Sequence, residues 1–426
     1  MKILIVGGGG REHALTWKIS QSPLVDKIWC APGNAGMASL AECVDIKAED
    51  ARGQAEFAER EKIDLTVVGP EAPLVAGIAN LFQEKRLAVF GPDREAAQME
   101  GSKSFAKEIM TEAGVPTGTS QVFNDYDSAA DCIKSGTPPY VVKADGLAAG
   151  KGVIIAQDDK AAYEALKSCF INKDFGASGD KVLIEEHLEG QEVSILAFVD
   201  GTHILPLAPA QDYKRIGDGD DGPNTGGMGS YSPVPVFTQH DYVRAVNDIL
   251  VPTAQALMRR GIHYKGILYA GLMLTAGGPK VLEYNVRFGD PEIQAILPRL
   301  RTDIVEAMLA VLNGKLEDVN LTWTHEPCVT VVVASGGYPN DYAKGYAISG
   351  IKEAEGIEGV IVFQAGTRLG PEGQVLTDGG RVLAVSGLGE DFATAREKAY
   401  QGVEKISFKD MYYRRDIAVR ALEVVQ

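Results

Sequence analysis

Residues 1–14, MKILIVGGGGREHA, decide how the N-terminal part of the chain folds. Ile3–Val6 is an apolar run of strand length, Gly7–Gly10 reads as a turn, and a helix follows from Arg11. The same alternation of short apolar runs and helical stretches continues to residue 100, which predicts βαβ units in a doubly wound parallel sheet. The predicted strands are Ile3–Val6, Lys27–Cys30, Val44–Ile46, Leu65–Val68 and Ala88–Phe90, and the predicted helices are Arg11–Ser20, Ala51–Glu61, Leu74–Lys85 and Arg94–Glu100.

Composition excludes several classes of function. The chain has 426 residues, which suggests about three domains. Its formal net charge of −16 argues against binding nucleic acid or an anionic membrane, but not against a small anion at short range. The five cysteines are widely spaced, and the first apolar run is too short for a signal peptide. We therefore expect reduced thiols in a cytoplasmic protein, and a monomer.

The middle of the chain holds one unusual stretch, Pro206–Pro235. It is rich in Gly, Asp, Asn and Pro and has no apolar period. A loop of this length is usually functional or disordered, and the regular elements on both sides favour the functional alternative. The regular elements predicted after residue 100 are helices at Ser102–Glu112, Lys160–Ser168 and Asp241–Arg259, and strands at Val182–Ile184, Val193–Phe198, Ile267–Leu274, Lys280–Val286, Val329–Ala334, Val360–Phe363 and Val382–Val385.

The glycine turn at Gly7–Gly10 lies where backbone N–H groups could approach a phosphate at a helix N-terminus. A simple tight turn is the alternative. The dinucleotide fingerprint needs a glycine at position 12, which is Glu12 here, so a dehydrogenase loses its main support. The positive charge of Arg11 favours the binding of an anion at this turn. Turns at 31–36 and 69–73 also follow strands, so the three turns could line one small-molecule pocket.

Residues 140–153, YVVKADGLAAGKGV, join Lys143 on an apolar strand to a glycine-rich loop. The Walker A pattern is absent, because Gly152 stands where it requires Ser or Thr. A strand lysine can simply extend to solvent at a sheet edge. The adjoining glycine loop instead favours triphosphate binding, with backbone N–H groups over the phosphates and Lys143 as a point charge.

Residues 280–287, KVLEYNVR, form the sharpest local pattern. Strand alternation puts Glu283, Asn285 and Arg287 on one face and Leu282, Tyr284 and Val286 on the other. Two oxygen ligands suit Mg²⁺, and a guanidinium suits a carboxylate or phosphate. A half-exposed amphipathic strand is the alternative.

Two further stretches carry polar groups. In residues 184–192, IEEHLEGQE, carboxylates follow a strand and could hold ribose or adenine, or could form a solvated turn. In the long loop, Asp212 and Lys214 would share a side if the backbone is extended, and the stretch around Gly226 offers backbone donors.

Several motifs together resemble those of the phosphoribosylamine–glycine ligase family, which belongs to the ATP-grasp ligases. They are VGGGGREHA (6–14), APGNAG (31–36), VKADGLAAGKGV (142–153), GPNTGGMGSYSP (222–233) and LEYNVRFGDPE (282–292). The resemblance covers essentially the whole chain and implies an α/β protein: an ATP-grasp fold, a doubly wound parallel-sheet domain before it, and a small mixed α+β domain after it. The implied domains are 1–101 for substrate, 102–190 for the linker helix and lid, 191–326 for the large subdomain with the metal site, and 327–426 for the C-terminal domain.

The resemblance also implies the reaction. Glycine would be joined to 5-phosphoribosylamine with ATP and Mg²⁺ or Mn²⁺, through a glycyl phosphate, as a step of purine biosynthesis. The implied site residues are Lys103, Lys143, Gly150, Gly152, Glu185, Glu186, Leu188 and Glu192 for ATP; Gly9, Gly10, Arg11, Asn34, Glu71, Asp212 and Gly226 for the substrates; Glu283 and Asn285 for the metal; and Lys214, Arg287 and Asp290 for catalysis.

Three other functions remain as alternatives: a purine-pathway ATP-grasp ligase with a different acceptor, an ATP-sensing module without turnover, and, most weakly, a dehydrogenase. One departure from the wider ATP-grasp pattern concerns the strand before the metal ligands. Many ATP-grasp proteins carry an acid there, but residues 268–274 contain none. The ligands of any second metal therefore stay open.

Overall fold

The computed structural model describes residues 1–148 and 152–425. Its N-terminal part is the predicted parallel sheet, with strand order β3-β2-β1-β4-β5. The central strands are apolar except for Lys2 and Thr66, and they are buried almost throughout, as is typical of parallel strands between helical layers. The strands are β1 Lys2–Gly7, β2 Lys27–Pro32, β3 Glu42–Cys43, β4 Leu65–Val68 and β5 Val89–Phe90, and the helices are α1 Gly10–Ile19, α2 Ala51–Glu61, α3 Glu71–Ala76, α4 Ile78–Glu84 and α5 Gln98–Gly101.

Three elements of this part differ from the prediction. The strand expected at Val44–Ile46 lies at Glu42–Cys43. The single helix expected at Leu74–Lys85 is two helices, because Gly77 takes φ 95, a left-handed conformation that ends the first one. Only the end of the predicted Arg94–Glu100 helix is helical, at Gln98–Gly101.

The helix α6 leads to the part predicted as the lid, which we call the lid below. It has its own sheet, in the order β6-β9-β7-β8, and its own apolar core around Ile133, Val142 and Leu166. Asp125 and Asp158 cap the two lid helices by accepting a backbone N–H three residues on. The elements are α6 Lys103–Ala113, β6 Ser120–Phe123, α7 Tyr126–Ser135, β7 Tyr140–Ala144, β8 Val153–Ala156, α8 Asp159–Phe170 and β9 Val182–Glu186.

The long stretch Pro206–Pro235 is not structureless. After β10 Gln191–Asp200 and β11 Ile204–Pro206 it contains β12 Gln211–Asp212, β13 Arg215–Gly217, β14 Asp221–Asn224 and β15 Gly229–Ser232. The strand β15 pairs antiparallel with residues 328–331, a hundred positions later in the chain. Local patterning missed these strands because they are only two to four residues long, and β15 also pairs with a partner that is remote in the sequence.

The large sheet has the order β11-β10-β16-β17, so β17 forms its edge beside the lid. The helix predicted at Asp241–Arg259 is two α-helices joined by a π-helix at Ala245–Leu250. The elements are α9 Gln239–Arg244, α10 Val251–Arg259, β16 Lys265–Thr275, β17 Gly278–Asn285, α11 Glu292–Ile296 and α12 Ile304–Asn313.

The last sheet has the order β12-β15-β18-β22-β19, so it combines strands from both sides of the predicted domain boundary at 327. This mixing brings the C-terminal residues next to the long stretch 206–235. No helix among the described residues is both long enough and apolar enough to cross a membrane. The remaining elements are β18 Cys328–Ala334, α13 Ile351–Glu355, β19 Val360–Gln364, β20 Thr367–Leu369, β21 Val375–Thr377, β22 Arg381–Leu388, α14 Phe392–Lys405 and α15 Val419–Val425.

Candidate active site

One cavity of about 990 Å³ lies where the N-terminal sheet, the lid, the large sheet and the C-terminal sheet meet. A second groove, of about 770 Å³, runs between α7 and α8 of the lid, and none of the predicted site residues lines it. The predicted residues that line the large cavity are Arg11, Glu71, Lys103, Lys143, Gly152, Glu185, Glu186, Leu188, Glu192, Asp212, Lys214, Gly226, Glu283, Asn285, Arg287 and Asp290. Gly150 lies outside the described residues.

The lid side of the cavity is built around a buried ion pair between Lys143 on β7 and Glu185 on β9. Lys143 Nζ lies 2.8 Å from Glu185 Oε2 and donates to the Leu282 carbonyl at 2.9 Å. Glu185 Oε1 is buried and has no hydrogen-bond partner among the described residues. A buried acceptor without a partner is costly, so this oxygen is suited to accept a hydrogen bond from a ligand.

Lys107 is a site residue that the sequence analysis missed. Its Nζ lies 3.3 Å from Glu185 Oε2 and donates to Thr117 Oγ1 at 2.8 Å. Burial lowers the pKa of Lys107. No local pattern distinguished Lys107 from the other polar residues of the predicted helix, since only the folding of β9 against α6 brings it to the cavity.

Lys103 at the start of α6, together with Glu186 and Glu192 at and after the end of β9, completes the lid side of the cavity. Lys103 Nζ donates to the Gly146 carbonyl at 2.9 Å, and burial lowers its pKa. Glu186 turns toward the Thr119 N–H, which it accepts at 3.0 Å. Glu192 instead forms a 2.7 Å ion pair with Lys214.

The three polar side chains of the predicted face all line the cavity: Glu283 and Asn285 on β17, and Arg287 two residues beyond its end. Arg287 donates to Asn285 Oδ1 at 3.3 Å, and Lys214 Nζ lies 3.9 Å from Glu283 Oε1. Burial opposes the charge of Glu283, but Lys214 and the nearby lysines outweigh it and lower its pKa. Leu282 and Tyr284, predicted on the other face, also line the cavity, so the two faces are not separated as predicted. At Leu282 the pairing of β16 with β17 shifts register.

Arg287 is held by two carboxylates from the N-terminal part. Its guanidinium lies 3.3 Å from Glu71 Oε2 and 3.1 Å from Glu100 Oε1. Burial works against the charge of Arg287, but these carboxylates outweigh it and raise its pKa. Glu100 also accepts the Val286 N–H at 2.8 Å, so it fixes the backbone just before Arg287.

Glu292 is a second residue that the sequence analysis did not assign. Tyr269 lies opposite Asn285 on the neighbouring strand and donates to Glu292 Oε1 at 2.6 Å. Glu292 Oε2 is buried without a partner among the described residues. Residues 268–274 contain no acid, but Glu292 brings a carboxylate from α11 to the cavity beside them.

Asp212 and Lys214 both line the cavity, as predicted for an extended backbone. Burial raises the pKa of Asp212 to about 7. For Lys214, burial disfavours the charge, but Glu192 and Asp212 outweigh it and raise its pKa well above the usual value. The two side chains thus bring opposite charges to one wall.

In the glycine turn, two backbone N–H groups that could have bound a phosphate donate to carboxylates of the protein. Gly9 N–H donates to Glu12 Oε2 at 2.6 Å, and Arg11 N–H donates to Asp290 Oδ2 at 3.3 Å. A carboxylate thus lies at the N-terminus of α1, where the sequence suggested a phosphate. Gly9 and Gly10 are not among the residues that line the cavity.

Asn34 has a structural position in the neighbouring turn. Its amide donates to the Gly8 carbonyl at 2.9 Å and to the Gln364 carbonyl at 2.8 Å, while its oxygen accepts from Gly36 and Met37. Asn34 is also absent from the cavity wall. In this arrangement it fastens two turns and the C-terminal sheet together, and its predicted contact with substrate gains no support.

Two C-terminal residues close the far end of the cavity. Arg381 donates to the Gly226 carbonyl at 2.6 Å and pairs with Asp290 at 3.2 Å, and Tyr338 Oη accepts the Gly226 N–H at 2.9 Å. Gly227 needs to be glycine, since it has φ 107 and a Cβ would meet Pro291 Cδ at 2.4 Å. Neither Arg381 nor Tyr338 lies in a motif, so the sequence carried no signal for them.

Comparison with known proteins agrees with this architecture. Models described as the N domain, the ATP-grasp (A) domain and the C domain of phosphoribosylglycinamide synthetase match residues 1–100, 101–293 and 328–420. The chain belongs to this family. The family resemblance inferred from the motifs is confirmed, and so is the predicted fold class.

Individual relatives match this chain over nearly its full length. A protein of Caldanaerobacter subterraneus subsp. tengcongensis named phosphoribosylamine–glycine ligase is 51% identical over 418 residues, which cover 98% of this chain and 99% of that protein. The crystal structure of phosphoribosylamine–glycine ligase from Thermotoga maritima superposes with a TM-score of 0.86 at 35% identity and covers 98% of this chain and 100% of the other. A biotin carboxylase from Campylobacter jejuni, at 15% identity and a TM-score of 0.76 over 97% of this chain and 92% of its own, shares the fold.

Proposed function

We propose that the chain ligates glycine to 5-phosphoribosylamine with ATP, yielding glycinamide ribonucleotide, ADP and phosphate in purine biosynthesis. The observation that carries the proposal is the continuous cavity that runs from the Lys143–Glu185 pair to Lys214 and Arg287 beside Glu283 and Asn285. The name of the full-length relatives supports this acceptor over the others considered.

The reaction proceeds in two displacements. A glycine carboxylate oxygen bonds to the γ-phosphorus of ATP while the bond from that phosphorus to the bridging oxygen of ADP breaks. The amine nitrogen of phosphoribosylamine then bonds to the acyl carbon of glycyl phosphate, the bond from that carbon to the phosphate oxygen breaks, and the nitrogen releases a proton. Positioning and charge neutralisation supply most of the catalysis in such transfers.

The lid side suits ATP. Lys103 and Lys143 supply positive charge for the phosphates, and the buried oxygen Glu185 Oε1 can accept a hydrogen bond from the adenine amino group. Leu188 and Glu192 line the wall where the remaining nucleoside groups would lie. The separate apolar core of the lid lets it move as a unit and close over an acyl phosphate, which water would otherwise hydrolyse.

The opposite wall suits glycine and the transferred phosphoryl group. Two anions must approach one another there, and Lys214 and Arg287 can offset their repulsion. Asp212 can hold the glycine ammonium group. Arg11, Glu71 and Asp290 lie beyond Arg287 and are the proposed contacts of phosphoribosylamine.

The oxygen set on β17 fits a hard divalent cation. Glu283 and Asn285 offer two oxygens, and Glu292 Oε2 is a buried carboxylate oxygen without a partner among the described residues. The described residues contain no group of three His, Cys, Asp or Glu that could hold a metal alone, in keeping with a cation that also needs substrate phosphates. Mg²⁺ or Mn²⁺ bound here would shield the negative charge of the phosphates.

Labelled glycine tests the route. When both carboxylate oxygens are ¹⁸O, glycyl phosphate must deliver one ¹⁸O atom into the phosphate that is released. Phosphate without label would reject the intermediate, and absence of glycine-dependent ADP release would reject the ligase. Supplying an imidazole ribonucleotide with bicarbonate in place of phosphoribosylamine and glycine should release no phosphate above background.

Glu283→Gln tests the metal assignment. We expect kcat to fall about 100-fold or more with the melting temperature unchanged, since the half-buried side chain contributes charge to the site more than packing. The control is Glu164→Gln, which makes the same change at an exposed position on the lid. Full activity of Glu283→Gln would remove the assignment. The expected monomer and cytoplasmic setting stay predictions.

A further inference from the structure

The end of the chain folds back onto the loop that follows Asp212 and Lys214. We call residues 215–224 the acceptor loop and residues 412–423 the C-terminal tail. Tyr412 Oη donates to the Ile216 carbonyl at 3.0 Å, the Arg415 N–H donates to Asp218 at 2.7 Å, and the Gly219 N–H donates to Asp416 at 2.9 Å. Each bond joins two segments that are about two hundred residues apart in the sequence.

Arg414 is the centre of this contact. Its side chain is 0% exposed. The guanidinium binds both carboxylate oxygens of Asp416, at 2.8 and 2.6 Å, and donates to the Arg215 carbonyl and to Asp220, both at 3.0 Å. A buried guanidinium is tolerated only when its donors are satisfied in this way.

Tyr213 connects this anchor to the proposed glycine site. Its ring contacts two guanidinium groups, with the carbons of Arg414 and Arg420 each 4.7 Å from the ring centroid. Because successive side chains of an extended segment point to opposite sides, the tail holds Tyr213 from behind while Asp212 and Lys214 face the cavity. Fixing the ring therefore fixes the direction of its two neighbours.

We propose that Arg414 is a positioning residue for glycine: through Tyr213 and the acceptor loop it holds Asp212 and Lys214 at the distance that the ligation needs. The proposal rests on the proposed function. The tail also forms part of the wall, since Arg420 and Glu423 line the cavity. Without Arg414, Asp220 and the Arg215 carbonyl lose a buried donor, and the loop can move away from the substrate.

Arg414→Gln tests the proposal, with Arg415→Gln as the matched control. The Arg415 side chain is exposed and only its backbone N–H binds the loop, so the control makes the same chemical change next to the anchor. We expect the KM for glycine to rise about tenfold to 100-fold in Arg414→Gln, because small misplacements of positioning groups have effects of this size. The dissociation constant of a non-hydrolysable ATP analogue should stay unchanged, and both constants should stay unchanged in Arg415→Gln.

Hydrogen exchange gives a readout that does not depend on turnover. Amides of residues 213–225 should exchange faster in Arg414→Gln than in the unmodified chain, while those of the lid keep their rates. An unchanged glycine KM, or an equal loss of ATP-analogue affinity, would overturn the proposal. If the unmodified chain makes no product, the proposed function fails, and the exchange data still decide whether the tail holds the loop.

Asp220→Asn weakens the same contact from the side of the acceptor loop. It serves as the test if Arg414→Gln does not fold. Asp220 binds Arg414 and Arg420 and has φ 59, a conformation that asparagine also tolerates. We expect the same selective rise in the KM for glycine and the same faster exchange of residues 213–225. Unchanged values in this variant would count against the proposal as directly as they would in Arg414→Gln.

Discussion

Arg381 lies 3.2 Å from the carboxylate of Asp290 and also donates to its backbone carbonyl at 2.9 Å. The other carboxylate oxygen of Asp290 accepts the Arg11 N–H at the start of α1. Burial would raise the pKa of Asp290, but Arg381 and Arg11 outweigh it and lower the pKa. One ionised carboxylate thus joins the C-terminal sheet to the first helix, across the cavity.

Replacing Arg381 should therefore weaken the acceptor end of the site. In Arg381→Gln we expect kcat/KM for phosphoribosylamine to fall about tenfold to 100-fold, the size that losing a charge-assisted hydrogen bond predicts. Affinity for an ATP analogue should stay the same, because among the described residues the hydrogen bonds of the Arg381 side chain go to Gly226 and Asp290. Steady-state kinetics with each substrate varied in turn measures the effect. Arg368→Gln, at a half-exposed position of the same region, is the control, and an effect on ATP alone would contradict the prediction.

Removing the lid lysine should separate ATP binding from folding. Lys143→Met leaves Glu185 buried with Lys107 at 3.3 Å as its remaining cation, so we expect loss of about 1–3 kcal/mol of stability and about tenfold or more in ATP affinity. Adding Glu185→Gln should restore the melting temperature, because the unpaired buried charge disappears, but should not restore ATP affinity. Calorimetry with an ATP analogue and thermal melts measure both quantities.

Lys160→Met, on the outer helix of the lid, is the control for that experiment and should leave both quantities unchanged. If Lys143→Met binds the ATP analogue as tightly as the unmodified chain does, the nucleotide does not lie against β7.

The ionised carboxylate of Asp212 should lower the free energy of unfolding at high pH. Burial raises its pKa from 3.8 to about 7, so between these values the folded state holds more protons than the unfolded state. The free energy of unfolding then falls as the pH rises through this window, and the cost is fully present above pH 7. Asp212→Asn removes the charge, so its gain in melting temperature should be larger at pH 8 than at pH 5, while glycine-dependent turnover is lost.

The exposed Asp318→Asn is the control for Asp212→Asn and should shift the melting temperature equally at both pH values. A gain that is the same at pH 5 and pH 8 in Asp212→Asn would show that the carboxyl group does not titrate in this window.

His13 should make the chain sensitive to acid. It is buried between the N-terminal and C-terminal sheets, and its Nδ1 accepts the Gln364 N–H at 2.7 Å. Burial lowers its pKa from 6.5 to about 4, so below pH 6.5 the unfolded state binds the proton first. Stability from the neutral ring is present above pH 6.5 and should fall by about 3 kcal/mol as the pH drops to 4.

His13→Asn keeps an acceptor near the Nδ1 position but cannot titrate, so its unfolding free energy should depend less on pH between 6.5 and 4. Denaturant titrations at several pH values measure this slope. The exposed His325→Asn should keep the slope of the unmodified chain, and an unchanged slope in His13→Asn would assign the acid sensitivity to other groups.

The predictions from sequence succeeded where a pattern is local. The apolar run Leu65–Val68 became a buried parallel strand with the predicted bounds, and the alternation of Glu283, Asn285 and Arg287 brought all three to the cavity. The predictions failed where a partner that is remote in the sequence determines the structure or the contact. The glycine turn received the carboxylate of Asp290, which lies far along the chain, and β15 in the stretch Pro206–Pro235 pairs with residues 328–331.

What the sequence determined by itself are the elements and motifs whose physics is confined to neighbours: apolar runs, glycine turns and the polar side chains of residues 283, 285 and 287. What only the tertiary structure decided is which charges share the cavity. Lys107, Arg381 and Arg414 lie in no motif, and Glu292 ends a motif in which it had no assigned role. Each of the four gains its place from a partner on another element. The reason is that ion pairs and buried polar contacts depend on distance in space, which a one-dimensional pattern does not contain.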